Sequence, residues 1–278
     1  MKEKLNIFII ITLFCLISSL STEEWREYPT CRLGRLQSPI EIKEYESIYA
    51  NNFSFVYQSY NEIDLKAINA NHNGDKDNYT DIYDASNGGY INFERGGVIK
   101  QYELVRFEVY PGIHSIDGEK GDYELHLFHK KNLDFMTNKN QYRSIQDANM
   151  FLVVVLRYKD SCENVNCISD SGLLESIYDT DQNFDLNKYS IFQDKRAYFY
   201  EGSLLHIPCD ENVNYYVVKD FFSSNKKKSA FNLKDEIKPS DRFGRPVYKN
   251  FMNYKEVLKS NFISIQKITL FLLIFILF

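Results

Sequence analysis

In several short segments of the chain, hydrophobic and polar positions alternate with a period near two. Tyr90–Phe93, Tyr102–Tyr110, Tyr123–His129, Phe151–Tyr158 and Tyr215–Val218 are short and rich in β-branched and aromatic residues, and turn residues separate several of them. That is the pattern of strands lying in a packed sheet. Helical periodicity is confined to two short runs, Ser144–Asn149 and Gly172–Tyr178. No Pro/Gly/Ser-rich linker or internal repeat divides the chain, which predicts a single β-dominated domain.

The two ends depart from this pattern. Lys2 and Lys4 precede an almost unbroken apolar run, Ile7–Ile17, and Ser19-Leu20-Ser21 supplies small residues after it. Residues 1–21 therefore read as a cleaved secretory signal, the run being shorter than the ~20 residues of a comfortable membrane span. From Ile268 to Phe278 every residue but Thr269 is strongly apolar and nothing polar follows. Residues 257–278 read as a lipid-attachment (GPI) signal, with Ser260 and Asn261 as attachment candidates, or as a retained tail anchor. Either one places the domain, residues 22–256, on the outer face of the plasma membrane or of a secretory organelle.

Composition adds little beyond the compartment. A net charge of −5 argues against nucleic acid as a partner. Of five cysteines, Cys15 lies in the signal, leaving Cys31, Cys162, Cys167 and Cys209. Four cysteines in a secreted chain suggest two disulfides and allow three pairings. Asn52 and Asn78 head glycosylation sequons, NFS and NYT.

Five ordered blocks carry a resemblance. They are WREYPTCRLGRLQSPIEI (from Trp25), YELVRFEVY with HSIDG, YELHLFH, FYEGSLLHIPCDENVNYYVV, and RFGRPVY (ending at Tyr248). In order and spacing they resemble α-class carbonic anhydrases. The implied fold is mainly β, a twisted, mostly antiparallel ten-stranded sheet with a few short peripheral helices and an active-site cone reaching its centre. The resemblance also implies a Cys31–Cys209 disulfide, which leaves Cys162 to pair with Cys167.

Active members of that family hold zinc with three histidines, two from alternate positions of one strand and one from its neighbour. Here the matching positions hold Glu108, Tyr110 and His126, so one ligand of three remains. His114 matches a buried structural histidine, and His129, at an odd offset from His126, points to the opposite face of a regular strand. The residues expected around the ligands are altered at Arg106, Ile113, Glu124 and Leu205. Arg106 replaces a Gln that orients the first histidine, and shares a strand face with Glu108. Ile113 and Leu205 replace the Glu–Thr couple that orients zinc-bound hydroxide. His206 is a possible extra ligand, and His72 lies near the proton-shuttle position of fast family members.

These readings predict a carbonic anhydrase-related protein without hydratase activity and with no cofactor, acting in recognition or adhesion toward a cell-surface protein or glycan. The alternative is a divergent carbonic anhydrase or esterase with an altered metal site, requiring zinc. Lys226-Lys227-Lys228 is a short basic run that could touch sulfated sugars.

Overall fold

The computed structural model describes residues 30, 33–62, 66–68, 81–85, 87–133, 150–163, 165–178, 184–189, 191, 195–205, 209–230, 244–253 and 256. The strands, in chain order, are β1 (Glu41–Ile42), β2 (Ile48–Tyr49), β3 (Phe53–Tyr60), β4 (Lys66–Ile68), β5 (Asp81–Asp84), β6 (Gly89–Arg95), β7 (Val98–Pro111) and β8 (Ser115–Ile116). They continue with β9 (Glu119–Lys120), β10 (Tyr123–Lys131), β11 (Phe151–Tyr158), β12 (Cys167–Ser169), β13 (Ala197–Gly202), β14 (Val213–Ser223) and β15 (Tyr248–Lys249). One six-residue helix, α1 (Leu173–Tyr178), follows Gly172 and buries Leu173, Leu174 and Ile177. The other short run read as helical, Ser144–Asn149, lies outside the described residues.

The main sheet runs β2-β15-β13-β14-β11-β10-β7-β5-β4, with β12 beside β14 and with β6 and β3 beyond the first half of β7. It has twelve strands among the described residues rather than the expected ten. The short strands β2, β4, β12 and β15 close onto its ends and flanks, and runs of two or three residues leave no periodic signature in a sequence. Most pairings are antiparallel; β11–β14, β12–β14 and β2–β15 are parallel.

Both faces of the centre are covered, and the period-two alternation sorts side chains between them. Leu125 and Leu127 of β10, Leu152, Val154 and Leu156 of β11, Phe199 of β13 and Tyr216 of β14 join one core. Their sequence neighbours Phe128, Val153, Val155, Tyr198, Tyr200 and Tyr215 form the second core with Ile40, Ile42 and Val247. A β-bulge interrupts the central pairing. Between β10 and β7 the register passes from Phe128↔Arg106 to His129↔Leu104, leaving Val105 as the extra residue.

Three distant segments converge on the second face through hydrogen bonds. Ser38 N–H donates to Ser203 Oγ at 3.0 Å and Ser203 N–H donates back to Ser38 Oγ at 3.1 Å. Arg245 donates to the carbonyls of Glu201 (3.1 Å) and Gln37 (2.6 Å), and Tyr215 O–H donates to the Ser203 carbonyl at 2.8 Å. The QSPI, EGSL and GRPV stretches are thus one structural unit. Cys162 and Cys167 are joined by a disulfide, and Cys209 is disulfide-bonded. Cys31 lies outside the described residues. No helix among the described residues is long and apolar enough to cross a membrane, and the terminal segments 1–21 and 257–278 lie outside them.

Gly112 carries the chain from β7 toward His114 where two backbones cross: a Cβ there would sit 1.9 Å from the Gly121 carbonyl oxygen. Relieving that overlap means moving backbone, which typically costs ~1–3 kcal/mol or more. Gly112→Ala is expected to lose at least about 2 kcal/mol in urea unfolding. A variant as stable as the parent would mean the crossing is looser than described.

Candidate functional site

Period-two geometry places Arg106, Glu108 and Tyr110 on one face of β7 and Glu124, His126 and Phe128 on the same face of β10. The register sets Glu108 opposite His126 and Arg106 opposite Phe128. Glu108 and His126 have no exposed surface, and Tyr110 is 3% exposed. A carboxylate so buried must be compensated by charge and hydrogen bonds. Arg106 Nε–H donates to Glu108 Oε1 at 2.5 Å, and Tyr110 O–H donates to Oε2 at 2.7 Å. The Arg106 guanidinium also lies over the Phe128 ring, 4.6 Å from its centroid. Burial, and then the negative charge of Glu108, hold the Tyr110 phenol well above its ordinary pKa, so it stays a neutral donor.

A second buried carboxylate, Glu124, organises the other half of the site. Its Oε1 accepts the backbone N–H groups of Ile113 (3.1 Å) and His114 (2.7 Å). Its Oε2 accepts from His114 Nδ1 (2.7 Å) and His126 Nε2 (2.9 Å). His114 Nε2 reaches the Tyr200 hydroxyl at 2.8 Å. Burial alone would raise the Glu124 pKa, but the charge and hydrogen bonds of His114, and then of His126, outweigh it and hold it at about 2. Arg157, directly opposite Glu124 on β11, adds a buried positive charge.

The tautomer of His126 is set by this contact. An ionised carboxylate only accepts, so Nε2 carries the proton. Burial lowers the imidazole pKa despite the pull of Glu124, so Nδ1 keeps a bare lone pair. That Nδ1 is buried and has no hydrogen-bond partner. The ring faces Tyr110, with centroids 4.7 Å apart.

Zinc at the family position would need three such donors. The arrangement supplies one, His126 Nδ1. At the other two positions stand a neutral phenol and a carboxylate already ion-paired to Arg106, so the donor set does not fit a three-ligand zinc site. His114, Glu124 and His126 do bring ligand-type atoms within 4.8 Å of one another. Those atoms already satisfy each other through the Nδ1–Oε2 and Nε2–Oε2 hydrogen bonds. A metal among them would have to break both bonds in a fully buried site.

The other sequence candidates are more scattered. His129 points to the other face, where its Nε2 meets the Tyr60 hydroxyl at 3.0 Å and its Nδ1 the Leu127 carbonyl at 3.1 Å. Ile113 is fully buried and Leu205 half-buried. Glu124, counted among the altered positions, instead holds the surviving histidine in place, an orienting role that its two-residue offset from His126 already encodes. Tyr200 and Arg157 carry no signal in the sequence, since only the tertiary fold brings them near Glu124. Asn52 is exposed at the entry to β3. Lys227 reaches the Asp160 carbonyl, and the Lys228 N–H donates to Asp160 Oδ1 at 2.8 Å, so this basic run is tied into a loop. His72, Asn78, His206, Ser260 and Asn261 lie outside the described residues.

The sequence matches the family model for eukaryotic-type carbonic anhydrase across residues 20–259. Among curated relatives, alpha carbonic anhydrase 8 of Arabidopsis thaliana is 26% identical over 230 residues, 80% of this chain and 52% of that protein. The chain thus spans about half the length of that relative (52%). Carbonic anhydrase 6 of Mus musculus is 24% identical over 259 residues, covering 87% of this chain and 78% of that one. Two solved structures share the fold. Dioscorin complexed with ascorbate has a TM-score of 0.59 at 19% identity, covering 82% of this chain and 91% of that chain. The α-carbonic anhydrase of Thermovibrio ammonificans with sulfanilamide has a TM-score of 0.58 at 21% identity, covering 80% and 91%.

The buried histidines make stability pH-dependent with a definite sign. Burial pushes His129 down from 6.5 to about 4, partly opposed by backbone bonds at Leu127 and Leu152, and His126 is lowered too. The unfolded chain therefore takes up protons below pH 6.5 that the folded one refuses. The histidines' contribution to stability is complete well above that pH and falls as the pH drops toward 4. Between pH 6.5 and 4.5, His129 alone is expected to remove about 2–3 kcal/mol, at ~1.4 kcal/mol per pH unit. Urea unfolding across this window should show the loss, and His129→Gln should show less of it. An unchanged pH dependence in that variant would contradict the assignment.

Proposed function

The chain belongs to the eukaryotic-type carbonic anhydrase family, and we propose that it has exchanged the family's zinc-hydroxide chemistry for recognition at a membrane surface. One observation carries this reading. The carboxylate at a ligand position, Glu108, is already held by Arg106 and Tyr110, leaving His126 Nδ1 as a lone donor. A zinc-bound hydroxide needs a metal held firmly enough to lower the pKa of its water, and one neutral imidazole cannot do that. The aliphatic pair Ile113 and Leu205 supports the same reading. Replacing both hydroxide-orienting groups at once leaves no buried polar atom stranded.

The partner in this reading is a protein or glycan on a cell surface. The domain reaches that surface through the secretory signal in residues 1–21 and is held there by a GPI lipid that replaces the hydrophobic segment 257–278. Asn52, exposed on a bend and within a sequon, is the glycosylation site that fits this topology.

Metal content tests the central step. Purified chain exposed to zinc and dialysed is expected to keep substoichiometric metal and to show no carbon dioxide hydration. The triple variant Arg106→Gln/Glu108→His/Tyr110→His, which rebuilds the three-histidine set around His126 Nδ1, is expected to bind zinc stoichiometrically. Stoichiometric zinc in the parent that disappears in His126→Ala would overturn the proposal in favour of a divergent enzyme. Display is tested separately: phosphatidylinositol-specific phospholipase should release the protein from intact cells, and removal of N-glycans should increase its mobility in the parent but less in Asn52→Gln. Retention after phospholipase would favour a tail anchor.

A further inference from the structure

The buried string at the site ends in a group that is not buried. The Arg106 side chain is 29% exposed, while Glu108 behind it has no exposed surface. Its Nε is bound to Glu108 and its face is stacked on Phe128. Among the described residues its two terminal nitrogens have no hydrogen-bond partner. We infer that this outward edge of the Arg106 guanidinium, fixed at its Nε and against Phe128, is a binding site for a carboxylate group. The inference deepens the recognition reading and rests on it, because a metal-bearing site would place different groups here.

The geometry selects the ligand class. A guanidinium presents its N–H groups in a planar fork that matches the two oxygens of a carboxylate, giving two parallel charge-assisted hydrogen bonds. Much of the usual entropic cost of ordering an arginine is already spent, since Glu108 and Phe128 hold it in place. Glu108 does not cancel the attraction. It occupies the Nε–H, so a carboxylate on the terminal nitrogens would lie nearer to the positive centre than to Glu108, and Coulomb energy falls as the inverse of distance. Asp84 stands opposite Arg106 on β5. Its negative charge disfavours polyanions, so the site suits a single carboxylate better than phosphate or sulfate.

A carboxylate could come from a free small acid or from a uronic acid residue of a glycan. The test is ligand-observed NMR on the chelator-treated full chain, with acetate, glucuronate and inorganic phosphate as probes. Two variants accompany it. Arg106→Lys keeps the charge but loses the fork, and Arg106→Gln/Glu108→Gln removes both charges together so that neither is stranded in the interior. Both variants are first checked for retained folding by near-ultraviolet circular dichroism. The parent is expected to bind a carboxylate probe, with affinity falling about tenfold or more in the folded variants, as expected for loss of a bidentate ionic pair. Glucuronate binding more tightly than acetate would point to a glycan source, and equal binding to a free acid. No binding of either carboxylate by the parent, equal binding by the variants, or tighter binding of phosphate would overturn the inference. Failure here with zinc still absent leaves the recognition reading standing; zinc in the parent removes both.

Discussion

A carboxylate with no exposed surface dictates what its neighbours must be. Glu108 sits opposite His126 at the centre of the sheet, where an uncompensated charge would cost several kcal/mol. Arg106 supplies the positive charge and one hydrogen bond, and Tyr110 supplies the second. All three lie at alternate positions of one strand, so the compensation is local and needs no movement of the scaffold. The same three positions decide the chemistry. With both carboxylate oxygens bound to donors of the chain itself, the face that could have gathered a metal is instead closed by hydrogen bonds.

The rest of the site has kept its frame. Glu124 binds two backbone N–H groups and two imidazoles, with the Tyr200 hydroxyl completing the bonds around His114. That network is buried and almost fully satisfied, which makes it rigid. The exception is His126 Nδ1, a lone pair without a partner. In the proposed reading, this retained network lets one half of a metal site change while the sheet that carries it remains intact. The reciprocal Ser38–Ser203 bonds and the reach of Arg245 to Glu201 and Gln37 hold the walls of that face from outside.

Much of this was legible in the sequence, and the limits have physical causes. β-Branched composition located β11, and alternation located β7 and β10, whose polar residues Arg106, Glu108, Glu124 and His126 fall between apolar ones of the opposite face. Alternation passed over β13, AYFYEG, whose faces are both buried and which therefore shows an aromatic run in place of polar alternation. It also passed over β3, FSFVYQSY, whose register breaks near Val56. The shared face of Arg106 and Glu108 follows from a two-residue offset alone. The bulge at Val105 does not, since a one-residue irregularity in pairing depends on the partner strand. Tyr200 lies 86 positions from His114 and only the tertiary fold brings them together.

The chemistry of the site turns on what occupies the space between Glu108 and His126. Anomalous diffraction at the zinc edge, from crystals grown with excess zinc near neutral pH, addresses it directly. A closed hydrogen-bonded site predicts no anomalous peak beside His126 Nδ1, with Arg106 Nε and the Tyr110 hydroxyl both within hydrogen-bonding distance of Glu108. A zinc peak bonded to Nδ1, with the Glu108 carboxylate turned away from Arg106 to reach it, would contradict that closure.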